Sequence, residues 1–513
     1  MTGGMIQLVA YGKEDLFITS NPQITFFKIV YRRHTNFTFE QIPQYFPNQQ
    51  VNFGNQVTAT MTKNGDLLGD IVLYVNLPSI KAISNNITKF AWVKRIGFAI
   101  IKTVEIQING LLIDRHYGDW LNIWAELSGY ITGPKSSGFL KMIGDVPELT
   151  NFTSSKDEYL LQIPLQFWFC RSSGNAIPLS CLQYSDIKIN VEFNDLNKCC
   201  IISPSNYISC QNNISNLLPF EYIQQNINGS INGGLFNYYD INLQRLYYYQ
   251  ITDTKLMGIP TTNNIIPTDP HIISNLTSQY QITGITSKFN IIPSYNVNSR
   301  VYSTSNVLRN INIQNCFLLT TYYYLDDEER LIFMQSKHDY IIEQLFLTSP
   351  IKIDTINRTI NLTVDQTCKY IIWYLQMNYN YNSQDYYNYT DTFIRDYKTG
   401  KITGNNIIVN ETVLLNGQPR LTTRDNSYFN DIMPYQHFKY SLPSGLNVYS
   451  FCLYPPLIQP SGSCNMSQIT LSQIQLQTSN VISVITPANF IAYSVSHNIL
   501  RISNGLGGLV FIK

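Results

Sequence analysis

The sequence predicts an all-β protein made of two tandem β-domains, and three observations carry that expectation. The first is composition. Of 513 residues, 44% are hydrophobic and only 13% charged, with 36 Tyr and 26 Phe. Ile, Tyr, Phe and Thr suit a pleated, half-buried surface, and the many Asn and Gly suit the turns between strands. The second is period-two alternation of apolar residues, repeated in short runs along the chain. The third is a pair of Asn-Gly steps, at Asn109-Gly110 and Asn416-Gly417, each set between two β-runs. Asn-Gly in that setting is the strongest short hairpin signal, because a type I′ turn needs φ > 0 at both central positions. The stretches INGLLIDRHYGDWLN (108–122) and LNGQPRLTTRDNSYFN (415–430) share one plan: strand, Asn-Gly, a strand ending near an Arg, then an aromatic-rich segment containing Asn. A plan repeated about 300 residues apart points to two related units.

The elements follow in order. Residues 21–37 read NPQITFFKIVYRRHTNF. Thr25, Phe27, Ile29 and Tyr31 share one face by the period of two, which predicts a strand over 25–31 ending at Arg32-Arg33-His34. IVLYVNL (71–77), KTVEIQI (102–108) and LLIDRH (111–116) read as further strands. Trp120, Ile123, Trp124 and Leu127 then follow helical spacing, with Asp119 as the expected N-cap. Residues 160–171 and 185–194 return to strand. From about 196 to 310 the texture shifts to Asn, Ser, Tyr, Gly and Pro with few charges, and a loop of that length reads as a surface insertion with some strands of its own. Residues 310–325 form a strand ending in TTYYYL. Asp326 with Glu329 three residues later starts a short helix in the manner of a capping box. Residues 338–346 and 370–375 complete the strong strand signals.

Composition also excludes functions. Lys+Arg total 35 against 34 Asp+Glu, a net charge of +1. A protein that neutralises many phosphates carries a marked basic excess, so no specific nucleic-acid partner is expected. The nine Cys include no CxxC pair and have no His at zinc-ligand spacing. The N-terminal MTGGMIQLVAYGKED lacks the signature of a secretory signal, so reduced thiols are expected. No apolar run is long enough to span a membrane as a helix. The acidic run Asp326-Asp327-Glu328-Glu329 is explained by the preference of carboxylates for a helix N-terminus. Gly505-Leu-Gly-Gly508 has no helix after it to make a phosphate loop, and reads as a tight turn. The six His are scattered, and no Ser sits in a GxSxG elbow. Neither an enzyme nor a cofactor or metal site is expected.

One resemblance covers most of the chain. The segment GGMIQLVAYGKEDLFITSNPQITFFKIVYRRHTNF (3–37) closely resembles the start of the major capsid proteins of nucleocytoplasmic large DNA viruses, the family of the algal, iridovirus-like and giant amoebal viruses. IPLSCLQYSDIKINVEF (177–193), YYYLDDEERLIFMQSKHDYIIEQLF (322–346), LYPPLIQPSGSCNMSQI (453–469) and AYSVSHNILRISNGLGGLVF (492–511) resemble later blocks of the same family, in family order.

The resemblance implies an all-β double jelly roll: two tandem antiparallel eight-stranded sandwiches with short helices in loops and a long surface insertion. It divides the chain into an arm at 1–24, a first jelly roll at 25–325 with the insertion at about 196–310, an inter-domain helix at 326–338 and a second jelly roll at 339–513. It implies a homotrimer forming pseudo-hexameric capsomers of an icosahedral virion shell. Neighbouring capsomers, minor capsid and penton proteins and an internal membrane would surround it, with assembly in the host cytoplasm. The low net charge agrees, since like-charged faces packed closely repel. A minor capsid or penton-type protein of the same lineage is one alternative. A carbohydrate-binding β-sandwich is another, and it needs an aromatic platform or a carboxylate pair that the sequence does not display. Arg32, Arg33 and His34 are candidate contacts at a subunit boundary or inner face. Asn213, Asn228 and Asn275 are candidate glycosylation positions among many Asn-x-Ser/Thr sequons.

Overall fold

The computed structural model describes residues 3–10, 12–13, 19–29, 31–80, 90–151, 153, 155–202, 206–212, 214, 217, 221–241, 244–250, 256–260, 269–285, 287–295, 311–364, 366–391, 404–484 and 486–511. Two sandwiches occupy most of it, and both are wound the same way.

The first contains β1 (Phe37–Gln44), β2 (Gln56–Thr60), β3 (Leu67–Leu77), β4 (Ile101–Ile108), β5 (Leu111–Tyr117), β6 (Tyr159–Pro164) and β7 (Ile187–Phe193). Its last strand, β14 (Asn315–Leu325), follows an insertion holding β8 (Asn206–Ser209), β9 (Tyr222–Ile227), β10 (Ser230–Asp240), β11 (Arg245–Gln250), β12 (Ile282–Gly284) and β13 (Asn290–Ile291). One sheet runs β1-β14-β3-β6 and the facing sheet β2-β7-β4-β5. In units of sequence order within the sandwich this is first-eighth-third-sixth over second-seventh-fourth-fifth.

The second sandwich repeats it. Its strands are β15 (His338–Ile353), β16 (Asn357–Asn361), β17 (Thr367–Met377), β18 (Ile408–Leu415), the short β19 (Gln418–Pro419) and β20 (Arg424–Asp425), β21 (Leu446–Ser450), β22 (Ser472–Thr478) and β23 (Ala488–Ser503). The sheets run β15-β23-β17-β21 and β16-β22-β18-β19, with β20 also on β18. This interleaved antiparallel order is the jelly roll, so the fold is a double jelly roll. The two Asn-Gly hairpins are the fourth-to-fifth turns of the two sandwiches. Asn109 and Asn416 have φ of 52° and 50°, Gly110 and Gly417 φ of 78° and 76°, as a type I′ turn requires.

Alternation explains the cores. Leu68, Ile71, Leu73 and Val75 of β3 face Val104, Ile106 and Ile108 of β4 and Ile187, Ile189 and Val191 of β7 in one cluster. A second cluster fills the other sandwich around Trp373, Leu375, Leu446, Val448, Phe490 and Val495. The insertion has a small core of its own, with Ile208, Ile223, Phe236, Leu246, Tyr248 and Ile291.

Several sequence expectations change. Residues 25–29 and 31 form no strand, and the first strand starts at Phe37. Alternation states which side chains share a face, but a strand also needs an edge to pair with, and among the described residues none pairs with this segment. Arg32-Arg33-His34 therefore precedes the first strand instead of ending one. The strand expected over 160–171 stops at Pro164, which lacks an N–H, and a 3₁₀ turn follows at Trp168–Cys170. The helix α1 (Gly118–Leu127) is capped by the extended backbone of Tyr117 with no side-chain bond, and Asp119 lies inside the first turn. Downstream of α2 (Pro270–Gln279), α3 (Asp327–Gln335) starts after Asp326 as expected but not through a capping box: the Asp326 carboxylate accepts from the N–H of the next residue, Asp327, at 2.9 Å, and one Glu329 carboxylate oxygen has no hydrogen-bond partner. All nine cysteines are free and all are buried or half-buried.

Candidate functional site

Two features stand out: the junction that makes two sandwiches one unit, and the apolar surface left uncovered.

Helix α1 builds the junction. Its Leu121 and Ala125 pack in the first core, while Trp120, Ile123, Trp124 and Leu127 enter the second. A 3.6-residue period lets one helix serve two cores in this way. The Trp120 ring lies 5.6 Å from that of Tyr493 on β23. Burial pushes the carboxyl of Asp119, in the first turn, up to about 6.

Two buried charge clusters flank the helix. In the first, Arg95 Nη1 reaches Glu126 Oε1 at 2.7 Å, and Arg95 Nε reaches Asp145 Oδ2 at 3.2 Å. Burial works against the guanidinium charge, but the two carboxylates hold its pKa above the ordinary value. Arg95 also lies 5.7 Å over the ring of Tyr387, and Asn122 donates to the Tyr389 hydroxyl at 3.1 Å; both tyrosines belong to the second half of the chain. In the second cluster, Glu343 of β15 joins Arg171 of the first sandwich at 2.5 Å and Lys369 of β17. Burial opposes a carboxylate there, yet Arg171 and Lys369 hold the Glu343 pKa below the ordinary range. Arg171 stacks over Trp124 of α1 at 3.8 Å. Asp114, whose Oδ2 lies 2.9 Å from His116 Nε2, accepts through Oδ1 from the backbone N–H of Leu345 at 3.0 Å, a third crossing between the halves. Sequence reading missed these residues. Their signal was a charge inside a strand whose neighbours are apolar, such as Lys369 in TCKYIIWYLQM.

The uncovered surface belongs to the first sandwich. The outward face of its β1-β14-β3-β6 sheet carries Phe37 and Phe39 opposite Leu325 and Tyr323, and Phe317 opposite Tyr74. Phe317 and Tyr74 stack at 4.9 Å, and Phe39 meets Tyr323 at 6.4 Å. A solvated outer face of an antiparallel sheet is ordinarily polar. Part of this face forms a groove of about 380 Å³, bounded by β1, β3, β14 and α3.

The candidate residues sit nearby or far away as follows. Arg32, Arg33 and His34 are exposed, just ahead of β1. His34 Nδ1 lies 2.7 Å from the Thr35 carbonyl oxygen, and its ring meets Phe37 edge-on at 6.1 Å. Among the described residues neither Arg32 nor Arg33 has an ion pair. Asn228 is exposed in the β9–β10 turn with φ of 52°, its side-chain oxygen accepting from Gln279 at 2.8 Å. Asn275 is exposed on α2. Asn213 lies outside the described residues. Among the described residues no cluster of His, Cys, Asp and Glu is arranged to hold a metal ion.

Comparison with known proteins follows the same lines. Residues 25–224 match a family described as the major capsid protein N-terminus, and residues 329–508 match the large eukaryotic DNA virus major capsid protein family. The chain is 36% identical to probable capsid protein 4 of Acanthamoeba polyphaga mimivirus, across 100% of this chain and 99% of that one. It is 28% identical to the major capsid protein of Phaeocystis pouchetii virus over the full length of both. Its fold matches a chain in a quasi-atomic description of the PBCV-1 virus capsid with a TM-score of 0.64 at 23% identity, covering 95% of this chain and 100% of that one.

Proposed function

The chain belongs to the major capsid proteins of large eukaryotic DNA viruses, and from that premise we propose that it works as a homotrimer whose pseudo-hexameric capsomers tile an icosahedral virion shell. The observation that carries this reading is the repeated strand order. Two sandwiches wound alike and joined by a buried junction make one chain a pair of near-equivalent blocks. Three such chains present six blocks in a ring, and a ring of six similar blocks tiles a plane. Obligate interfaces of this kind are large and apolar at their centres, which agrees with the uncovered aromatic face of the first sheet.

On this reading the arm at 1–24 and Arg32, Arg33 and His34 lie at the inner base, near an internal membrane and minor capsid proteins. The arm continues to the start of β1 at Phe37, and the first jelly roll runs from there to Leu325, with the insertion at about 196–310 as an outer cap. Residues 326–338 link to the second jelly roll at 339–513. Asn228 and Asn275, both exposed on the insertion, would then present glycans outward. Penton proteins would close the vertices, and assembly would take place in the host cytoplasm. The mechanism is assembly alone, with no reaction and no cofactor.

Light scattering on the purified chain tests the proposal. The expected mass is about three times 58.9 kDa. A folded chain that stays monomeric at every concentration would overturn it.

A further inference from the structure

The arm ahead of β1 and the groove beside β1 have complementary unmet needs. In the arm, Phe26 and Phe27 are 89% and 97% exposed, and Ile24, Ile29 and Tyr31 are also exposed. Contiguous apolar surface of this kind in a soluble protein marks an interaction site. The segment has the alternation of a strand yet pairs with no strand among the described residues. It also carries Lys28, Arg32 and Arg33, none of them ion-paired among the described residues. The groove is lined by Phe37, Phe39, Tyr323 and Leu325 together with two carboxylates, Asp70 and Glu329. Asp70 has no ion pair among the described residues, and Glu329 keeps a buried oxygen without a hydrogen-bond partner. An unpaired buried carboxylate oxygen is costly, and an aromatic-walled site with two carboxylates suits a guanidinium or ammonium group.

We propose that residues 24–33 of one copy seat in this groove on the first sandwich of a second copy, apolar side chains against the aromatic wall and the arm's cations on Asp70 and Glu329. The inference rests on the self-assembly reading above and names its contact. A second copy is the occupant because the arm cannot easily be its own. The groove begins at Thr35, so the same arm would have to reverse between Arg33 and Phe37. Arg33-His34-Thr35-Asn36 contains no Gly or Pro, and its backbone makes no turn.

The test uses full-length chains produced together, one carrying Phe27→Cys and the other Phe39→Cys, each residue exposed in the single chain. The nine native thiols are buried or half-buried and give little background. Mild oxidation should yield a disulfide-linked two-chain species in the mixture, at least tenfold above either chain oxidised alone. Asp70→Lys with Glu329→Lys in the groove chain should remove it, and adding Arg32→Glu with Arg33→Glu in the arm chain should restore it. A trimer by light scattering with no mixed species overturns the inference and leaves the trimer standing. A species formed only when both cysteines are in one chain, with no two-chain product, overturns it as well. Folded monomers throughout would instead overturn the assembly reading itself.

Discussion

At the residue scale, the informative positions are charges where the fold asks for apolar side chains. Glu411 is the sharpest. It sits on β18 facing the interior, and its Oε2 accepts from Trp373 Nε1 at 2.7 Å, a bond across the second sandwich. Burial pushes its carboxyl up to about 8, with the indole bond pulling modestly the other way. Between the ordinary glutamate pKa and 8 the folded chain holds a proton that the unfolded chain has released. Stability therefore falls as pH rises through that window and levels off above it. Glu411→Gln keeps an acceptor for Trp373 and removes the titration. Its stability relative to the parent should climb by about 1.4 kcal/mol per pH unit, so the gap should widen by about 2–3 kcal/mol between pH 5 and pH 7. Urea unfolding at the two pH values reads this directly, and parallel pH profiles would show that Glu411 is not the proton carrier. Glu411 was invisible as a site in the sequence, since an exposed strand glutamate looks the same. Glu343 and Lys369 showed only as charges inside apolar strand runs, and Arg95 not even as that, because only the packing of two sandwiches takes them from water.

At the element scale, legibility depended on whether an element's reason is local. The Asn-Gly hairpins were readable because the turn geometry is dictated by two residues, and both appear at φ > 0. The start of α3 was readable for the same reason, through Asp326. Residues 25–31 were not, because alternation says which side chains share a face but not whether an edge is there to pair with, and among the described residues none pairs with this segment. Helix α1 shows a third case: its helical spacing was legible, but its two-sided role was not, since no sequence pattern says which core each stripe enters. That role has a measurable consequence. Trp120 belongs by chain order to the first sandwich and by contact to the second core, where it is fully buried. Trp120→Ala should cost about 3–5 kcal/mol, the range for deleting a large buried aromatic. The loss should fall on the second sandwich, so amide exchange should speed up in Thr367–Met377 and Ala488–Ser503 before Leu67–Leu77. Equal loss in both halves would mean that the two sandwiches open as one unit and that Trp120 does not support the second core in particular.

At the scale of the whole molecule, the fold separates what is required for closure from what is added. Each jelly roll closes through its eighth strand, which pairs with the first and third: β14 with β1 and β3, and β23 with β15 and β17. The insertion interrupts the first sandwich just before that closing strand. A long excursion there is tolerable because loop-closure entropy grows only slowly with length. It is also self-sufficient, since β8 to β13 form one six-stranded sheet with a core apart from the other two. The flanks are not separable in this way: Cys199, Cys200 and Ile201 pack in the first core, and Cys200–Ile202 pairs with Phe90–Trp92. Replacing residues 206–295 by a short Gly/Ser linker should therefore preserve both sandwiches and the proposed three-chain association, whereas a cut at 196–310 should also damage the first core. The insertion was recognisable in the sequence by composition but not its inner sheet, because strands built from Tyr, Asn and Gly carry little alternation. Electron microscopy of particles or capsomers made from the 206–295 deletion should show the outermost density gone and the lattice intact. Outer density that survived would place the insertion elsewhere, and loss of the trimer would make it an assembly element in its own right.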